Sequence, residues 1–228
     1  MIWWPDVIPT LTVGSTTLRP MRPTDSEDIF RAVQDPEIPK FTTVPSDYPV
    51  ELAIDFASTR NVASHLNKTE LVFVIEDSAL SSSEYSELSD GSDSSELSDG
   101  SDGSDGSDGS DSSELSDGSL SKYPYSNGFA GVISLHTIDI PNHRAEIGYW
   151  MAKEARGKGI GTRAASMITE FGLMTMGFNR IDGIVDVRNE ASKKLLLNAG
   201  YEYEGIMKKY VTRRDGSKLD MALFAATK

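Results

Sequence analysis

The sequence contains no cysteine. That excludes disulfides, thiolate nucleophiles and thiolate metal ligands, and it is compatible with a reducing, intracellular compartment. Its three histidines, His65, His136 and His143, stand at no ligand spacing, so no metal site is expected. No stretch approaches the roughly 20 apolar residues of a membrane span. The opening MIWWPDVIPT lacks the basic start and long apolar run of a signal peptide. A cytoplasmic location without membrane contact is the expectation.

Basic residues are also missing where the acid is densest. The 228 residues carry 35 Asp or Glu against 22 Lys or Arg, a formal net charge of −13. Residues 81–121 contain 12 of those acids and no Lys or Arg, which leaves 23 acids against 22 bases elsewhere. The acidity therefore belongs to one segment, and the rest is near neutral. That segment is 18 Ser, 12 acids and 6 Gly, with SDGSDGSDGSDGSD at 98–111. It cannot bury enough apolar area to offset the entropy of ordering it, so disorder is expected. Its Asp residues repeat every three, whereas an EF-hand needs alternate ligands, a fixed Gly and a terminal Glu.

The remaining chain reads as an α/β domain. TTLRPMR (16–22) alternates weakly as a first strand, and PTDSEDIFRAVQD opens a helix that Thr24 or Asp25 can cap. PEIPKFTTVPSDYP, with four prolines, is expected to be loop. A second helix is expected over about 50–63, then a strand in ELVFVIED (70–77). Beyond the acidic segment come strands at 127–140 and 142–151, the glycine-rich KEARGKGIG, and a helix over 162–178. A strand at 180–187, a short helix ending at Gly200 and a C-terminal hairpin turning at Asp215-Gly216 complete the order. Strand, glycine loop, helix, strand is one parallel βαβ unit within a mixed sheet.

The chemistry concentrates in ARGKGIGTRAA (155–165). Gly157, Gly159 and Gly161 let the chain turn tightly. The helix expected from about Thr162 points its free N–H groups and positive dipole end at the loop, and Arg156, Lys158 and Arg163 add charge. The arrangement suits a phosphate or pyrophosphate; a plain strand-to-helix turn with solvated bases is the simpler alternative. A P-loop is excluded because Gly159 follows Lys158. Gly159-x-Gly161-x-x-Ala164 fits a dinucleotide fingerprint with Asp182 downstream, but no second nucleotide-binding half follows.

The longer constellation AEIGYWMAKEARGKGIGTRAA…NRIDGIVDVRNEASKKLLLNAGYEYEG resembles the GNAT superfamily of acetyl-CoA-dependent N-acetyltransferases. It is most similar to the RimJ/RimL-like branch, which contains the ribosomal-protein N-terminal alanine acetyltransferases. Residues Arg156 to Gly161 match the R/Q-x-x-G-x-G/A motif, Asn189 to Ser192 with Gly200-Tyr201 match N-x-x-S…G-F/Y, and LRPMRPTDSEDIF resembles the usual opening. The resemblance implies a GNAT-like, mostly antiparallel sheet with a central parallel βαβ unit and covering helices. It makes residues 1–228 one domain, interrupted by the insertion 81–121 in a hairpin turn.

The resemblance also implies a site. The backbone N–H groups of Arg156, Gly157, Lys158, Gly159, Ile160 and Gly161, with Thr162, would cradle the pyrophosphate of acetyl-CoA. Pantetheine would lie where the strand before the loop splays from its parallel neighbour, and an N–H near Trp150 or Met151 would polarise the thioester carbonyl. Asn189 matches a position that reaches CoA; it also suits a helix cap. Glu146 matches the base of histone-acetylating members; otherwise it is a carboxylate paired with Arg144 or its neighbours. Many members place a tyrosine acid where this chain has Leu196, which leaves Ser192 as the candidate proton donor or a second cap residue. The acceptor would be an amine, on a protein N-terminus or a small molecule. A CoA-sensing module without turnover and an interaction protein with an acidic recruiting loop are the alternatives. The basic run KKYVTRR (208–214) lacks the aromatic interleaving of a nucleic-acid site, so no nucleic-acid partner is expected.

Overall fold

Eight strands form one sheet in the order β1-β2-β3-β4-β5-β6-β8-β7. They are β1 (Leu11–Val13), β2 (Thr16–Pro20), β3 (Leu71–Asp77), β4 (Phe129–Asp139), β5 (Arg144–Met151), β6 (Arg180–Asp186), β7 (Glu202–Thr212) and β8 (Lys218–Thr227). The computed structural model describes residues 1–82, 125–213 and 216–228. From residue 83 on, the acidic segment expected to be disordered lies outside the described residues, and so does Asp215 of the expected turn. Every strand pairing is antiparallel except β5 with β6. That is the mixed sheet with one parallel unit that the sequence order implies.

Alternation along the strands divides the core between the two faces. Phe73 of β3 meets the ring of Phe171, and a Cβ on Gly172 would touch Leu135 and Ile181. These residues form the face covered by α6 (Ile160–Glu170), its π-helical extension Phe171–Met176, and α7 (Glu190–Asn198). Val72, Val74 and Val132 alternate with them and are also buried. The helices packed there are α1 (Ser26–Val33), α3 (Val50–Asp55) and α4 (Asn61–Leu66). Fully burying a side chain such as Phe73 or Ile133 stabilises the fold by roughly 1.5–3 kcal/mol.

Four local differences from the sequence reading have physical causes. PEIPKFTTVPSDYP is not all loop: α2 (Glu37–Phe41) forms inside it. Pro36 is its N-cap and Pro39 falls in its first turn, where the missing N–H has no helical acceptor to lose. The second helix runs on to Leu66 because α3 and α4 join through a π-helical turn at Phe56–Arg60. Asp25 does not cap α1 with its side chain; its carboxylate accepts two bonds from buried Arg19, at 2.7 and 2.8 Å, and one from the Arg22 N–H. Met174, which helical spacing puts on one apolar stripe with Ala165, Ile168, Phe171 and Leu173, is 60% exposed, and the wider turns at 171–176 bury Met176 in its place. A short helix α5 (Ser78–Ser82) continues from β3.

Two junctions carry forward to the site. β3 and β4 are neighbours, with Leu71 opposite Leu135 and Glu76 opposite Phe129. The ends that flank the acidic segment therefore emerge side by side, next to Met151, which pairs with Gly131. At the C-terminal side Gly200, at φ +93°, ends α7 in the left-handed conformation expected of it.

Candidate active site

β5 and β6 pair only at their first three positions, Arg144 with Arg180, Ala145 with Ile181 and Glu146 with Asp182. From Ile147 onward β5 keeps its ladder with β4 while β6 keeps its ladder with β8. The two parallel strands therefore part, and a wedge-shaped opening runs through the middle of the sheet. The N–H of Ala152 donates to the carbonyl of Ala130, which fixes the alternation along β5. Even-numbered residues, Trp150 among them, turn their N–H groups to β4. Tyr149 and Met151 turn theirs to the opening. Of the two N–H groups considered from sequence, the one facing the opening is Met151's; the Trp150 ring packs against Phe129 at 6.1 Å.

The glycine loop closes the mouth of the opening. A single 3₁₀ turn, Lys153–Ala155, leads into it, and α6 begins at Ile160, two residues earlier than the spacing implies. Gly159 is the N-cap at φ +74°, a left-handed conformation that costs other residues roughly 1–2 kcal/mol. It provides no cap side chain, so the helix's first N–H groups stay open. Among the described residues, no acceptor is found for the N–H groups of Gly157, Lys158, Gly159, Ile160, Gly161 and Thr162. A Cβ on Gly161 would come within 2.8 Å of Leu195 Cδ1 and 3.4 Å of Met151 Sδ, so a side chain here would have to push Leu195 aside. Six unsatisfied donors at a helix N-terminus beside a narrow, partly apolar slot fit a pyrophosphate and its attached thiol arm.

Two of the three cations expected at the loop are committed elsewhere. Arg156 donates to the Met151 carbonyl at 3.1 and 2.8 Å and lies 2.6 Å from Asp35, an ion pair without hydrogen-bond alignment. Arg163 donates to Thr16 Oγ1 at 2.7 Å and to Asp77 at 2.9 Å. Lys158 is exposed and makes no ion pair with any described residue. Arg156 thus braces the strand, Arg163 anchors α6 to β2 and β3, and Lys158 is the loop cation left available. The Asp77 carboxyl, buried but hydrogen-bonded by Thr16, Arg163 and Ser15, is held below its ordinary range. Neither Asp35 nor Asp77 was legible from sequence, because each partner is distant along the chain.

The candidate proton carriers stand on opposite faces of the sheet. Glu146 occupies the last paired position before the strands part, on the face of His136 and Ser134, its neighbours on β4. Burial is the main influence raising its carboxyl above the ordinary value, and Asp182 adds to it; His136, Arg144 and a hydrogen bond from Thr137 pull it down. Arg144 is shared between Asp139 at 3.5 Å and Asp182 at 3.8 Å.

Ser192 lies on the other face, in the first turn of α7. Its N–H is accepted by Asn189 Oδ1 at 3.1 Å, so Asn189 is the N-cap, with its amide nitrogen not used by that bond. Ser192 Oγ is 2.7 Å from the Tyr149 hydroxyl. Tyr149 was not singled out from sequence, although strand alternation already places it with Ile147 on the α7 face. Leu196, where many superfamily members carry tyrosine, is fully buried and packs over Gly183. Among the described residues no cluster of three or more His, Cys, Asp or Glu could hold a metal ion. No helix among them is long and apolar enough to cross a membrane.

Comparison with known proteins agrees with this geometry. Residues 120–202 match the model of the acetyltransferase (GNAT) domain. The uncharacterized N-acetyltransferase YoaA of Bacillus subtilis is 32% identical over 98 residues, 43% of this chain and 55% of that one. The chain spans about half the length of the curated relatives it matches. Among solved structures, ribosomal-protein-S5-alanine acetyltransferase from Vibrio fischeri superposes with a TM-score of 0.66 at 19% identity, covering 96% of both chains. The microcin C7 self-immunity acetyltransferase MccE, solved with acetyl-CoA and AMP, gives 0.66 at 20% identity over 95% of this chain and 94% of that one. At these identities the structures establish a shared fold. The fold, the family match and the loop that caps the opening agree: residues 120–202 are similar to the acetyltransferase (GNAT) domain, and the chain shares the fold of solved acetyltransferases.

Proposed function

We propose that the protein transfers an acetyl group from acetyl-CoA to a primary amine, on a protein N-terminus or a small molecule, by direct attack. One observation carries this reading: β5 and β6 part beyond Glu146, and six unpaired N–H groups stand at the mouth of the gap. The name of the Vibrio fischeri relative, an alanine acetyltransferase of a ribosomal protein, supports the N-terminal option. In this reading residues 1–228 form one catalytic domain working in the cytoplasm, with segment 81–121 inserted between β3 and β4.

Bound acetyl-CoA supplies an acyl group already activated as a thioester. The N–H groups from Gly157 to Thr162 hold the pyrophosphate, with Lys158 screening its charge and the Asn189 amide reaching the same ligand; the Arg156 N–H, expected among them, donates instead to the Lys153 carbonyl. The Met151 N–H, aimed into the opening, bonds the carbonyl oxygen as negative charge builds on it, while the Trp150 ring walls the slot. Glu146 accepts the amine's proton, directly or through one water; burial raises its affinity for a proton, the direction that favours a base. Ser192, across the sheet, donates to the sulfur as it leaves.

The test offers acetyl-CoA with a panel of amines and N-terminal peptides and reads thiol release. Release that saturates with one acceptor class is the expected result. Tight CoA binding with no release on any acceptor would instead make the chain a CoA-binding module. Calorimetry on Gly159→Asp adds an independent check. Aspartate visits the left-handed conformation more readily than most residues, at a cost of roughly 1–2 kcal/mol, so thermal unfolding of the variant is measured alongside to show that it folds. It also sets an anion among the phosphate donors, and CoA affinity is expected to fall at least about tenfold. Unchanged affinity would remove the pyrophosphate from this loop.

A further inference from the structure

Of the polar side chains bordering the opening, Tyr149 has no part in the steps above. It projects from the portion of β5 that has separated from β6, toward α7. Its hydroxyl lies 2.7 Å from Ser192 Oγ and 3.4 Å from the Ser192 carbonyl. Tyr149 belongs to the strand on one side of the opening, and Ser192 to the helix that follows the strand on the other. Their hydrogen bond therefore spans the opening on its α7 face, the face toward which the sulfur departs if Glu146 receives the amine's proton on the opposite one.

We propose that Tyr149 is a positioning residue for the leaving thiol, donating its phenol hydrogen to Ser192 Oγ so that the Ser192 hydroxyl hydrogen points into the opening at the sulfur. This rests on the acetyl-CoA reading. A serine hydroxyl has one hydrogen and rotates freely to suit its partners. Once Oγ accepts from Tyr149, that hydrogen is released to the opening, and the donation through the chain strengthens Ser192 as a donor in turn. The N–H bond to Asn189 fixes the Ser192 backbone, so only this rotor remained to be set. As the C–S bond breaks, its electron pair goes to sulfur; Ser192 hydrogen-bonds the thiolate, which takes its proton from water after release. Burial pushes the Tyr149 phenol up to about 12, opposed only by Ser192, so it stays a donor throughout the working pH range. The neighbouring titratable group is Tyr201, whose hydroxyl is engaged at 2.7 Å with Thr169 of α6.

The thiol of bound CoA reports this directly, by thiolate ultraviolet absorbance against pH, and needs no acceptor. In the wild-type protein the thiol pKa is expected to lie roughly one unit below that in Tyr149→Phe or Ser192→Ala, the scale of one hydrogen bond to a charged atom. The double variant is expected to match the singles rather than add them. A protein carrying 3-fluorotyrosine at 149, near-identical in shape and a stronger donor, is expected to move the pKa the other way. It keeps the test alive should the phenylalanine variant fold poorly. A purely structural Tyr149 would change thermal stability and leave the thiol pKa in place, and that result overturns the role. If the wild-type chain binds no CoA, the acetyl-CoA reading itself falls; retained CoA affinity with an unmoved thiol pKa sinks the role of Tyr149 alone.

Discussion

Glu146 shows how a strand residue can be tuned without leaving regular structure. It is a paired β5 residue, yet it borders the place where pairing stops, so its carboxyl is half-buried without a dedicated cation. Arg144, the partner considered for it from sequence, is drawn off to Asp139 and Asp182. Because folding raises this pKa, the native state favours the protonated acid. The resulting stability is complete below the ordinary carboxylate value and is lost as pH rises through the raised one. Glu146→Gln should therefore be no different in stability at low pH and more stable than wild type near neutrality, as read by thermal unfolding across the range. If Glu146 is the base, the same variant loses roughly 10²-fold in kcat/KM and the acidic limb of the pH profile with it. Full activity would return Glu146 to the role of a partly buried carboxylate. At this scale the sequence carried the candidates that sit inside motifs, Glu146, Asn189 and Ser192. It hid Asp35, Asp77 and Tyr149, whose meaning depends on partners 43 or more residues away: Arg156, Arg163 and Ser192.

The elements were legible where the apolar pattern is strong and misread where punctuation residues serve two uses. β3 to β6 fall where short runs rich in apolar residues put them, and β3, β6 and most of β4 are buried on both faces, so the run and not an alternation is the signal. Glycine and proline mislead in both directions. Gly159 and Gly161 read as loop, yet one caps α6 and the other lies in its first turn. Pro39 reads as a breaker, yet a helix tolerates it in its first turn. Asn189 has the opposite ambiguity, since a good cap residue and a good ligand residue look alike. Two substitutions separate them. Asn189→Ala should cost about 1 kcal/mol of stability, because the Ser192 N–H loses its acceptor. Asn189→Ser keeps a cap oxygen and should restore most of that stability. It lacks the amide nitrogen, so acetyl-CoA affinity is expected to stay reduced. Recovery of both properties in the serine variant would make Asn189 a cap and nothing more.

At the scale of the whole molecule, charge and topology meet at one end of the sheet. β3 ends at Asp77 and β4 begins at Phe129, side by side, and the residues between them hold the 12 acids of segment 81–121. Asp77 is bonded to Arg163, one residue past the anion-binding turn of α6, and Gly131, two residues into β4, pairs with Met151 at the mouth of the opening. A segment with a formal charge of −12 therefore enters and leaves the domain beside the proposed pyrophosphate site, where one loop lysine is left to meet the ligand's charge. Between exposed charges such repulsion is weak and screened over about 10 Å at 0.1 M salt, but it reaches about 30 Å at 0.01 M. Deleting residues 81–121 is accordingly expected to tighten CoA binding at low ionic strength, by less than about tenfold, the roughly 1 kcal/mol scale of exposed pairs. The gain should shrink as salt rises, and replacing the 12 acids with Asn and Gln at constant length should reproduce it. A salt-independent gain, or one that the charge-neutral replacement fails to reproduce, would mean that the segment acts by occupying space rather than by its charge.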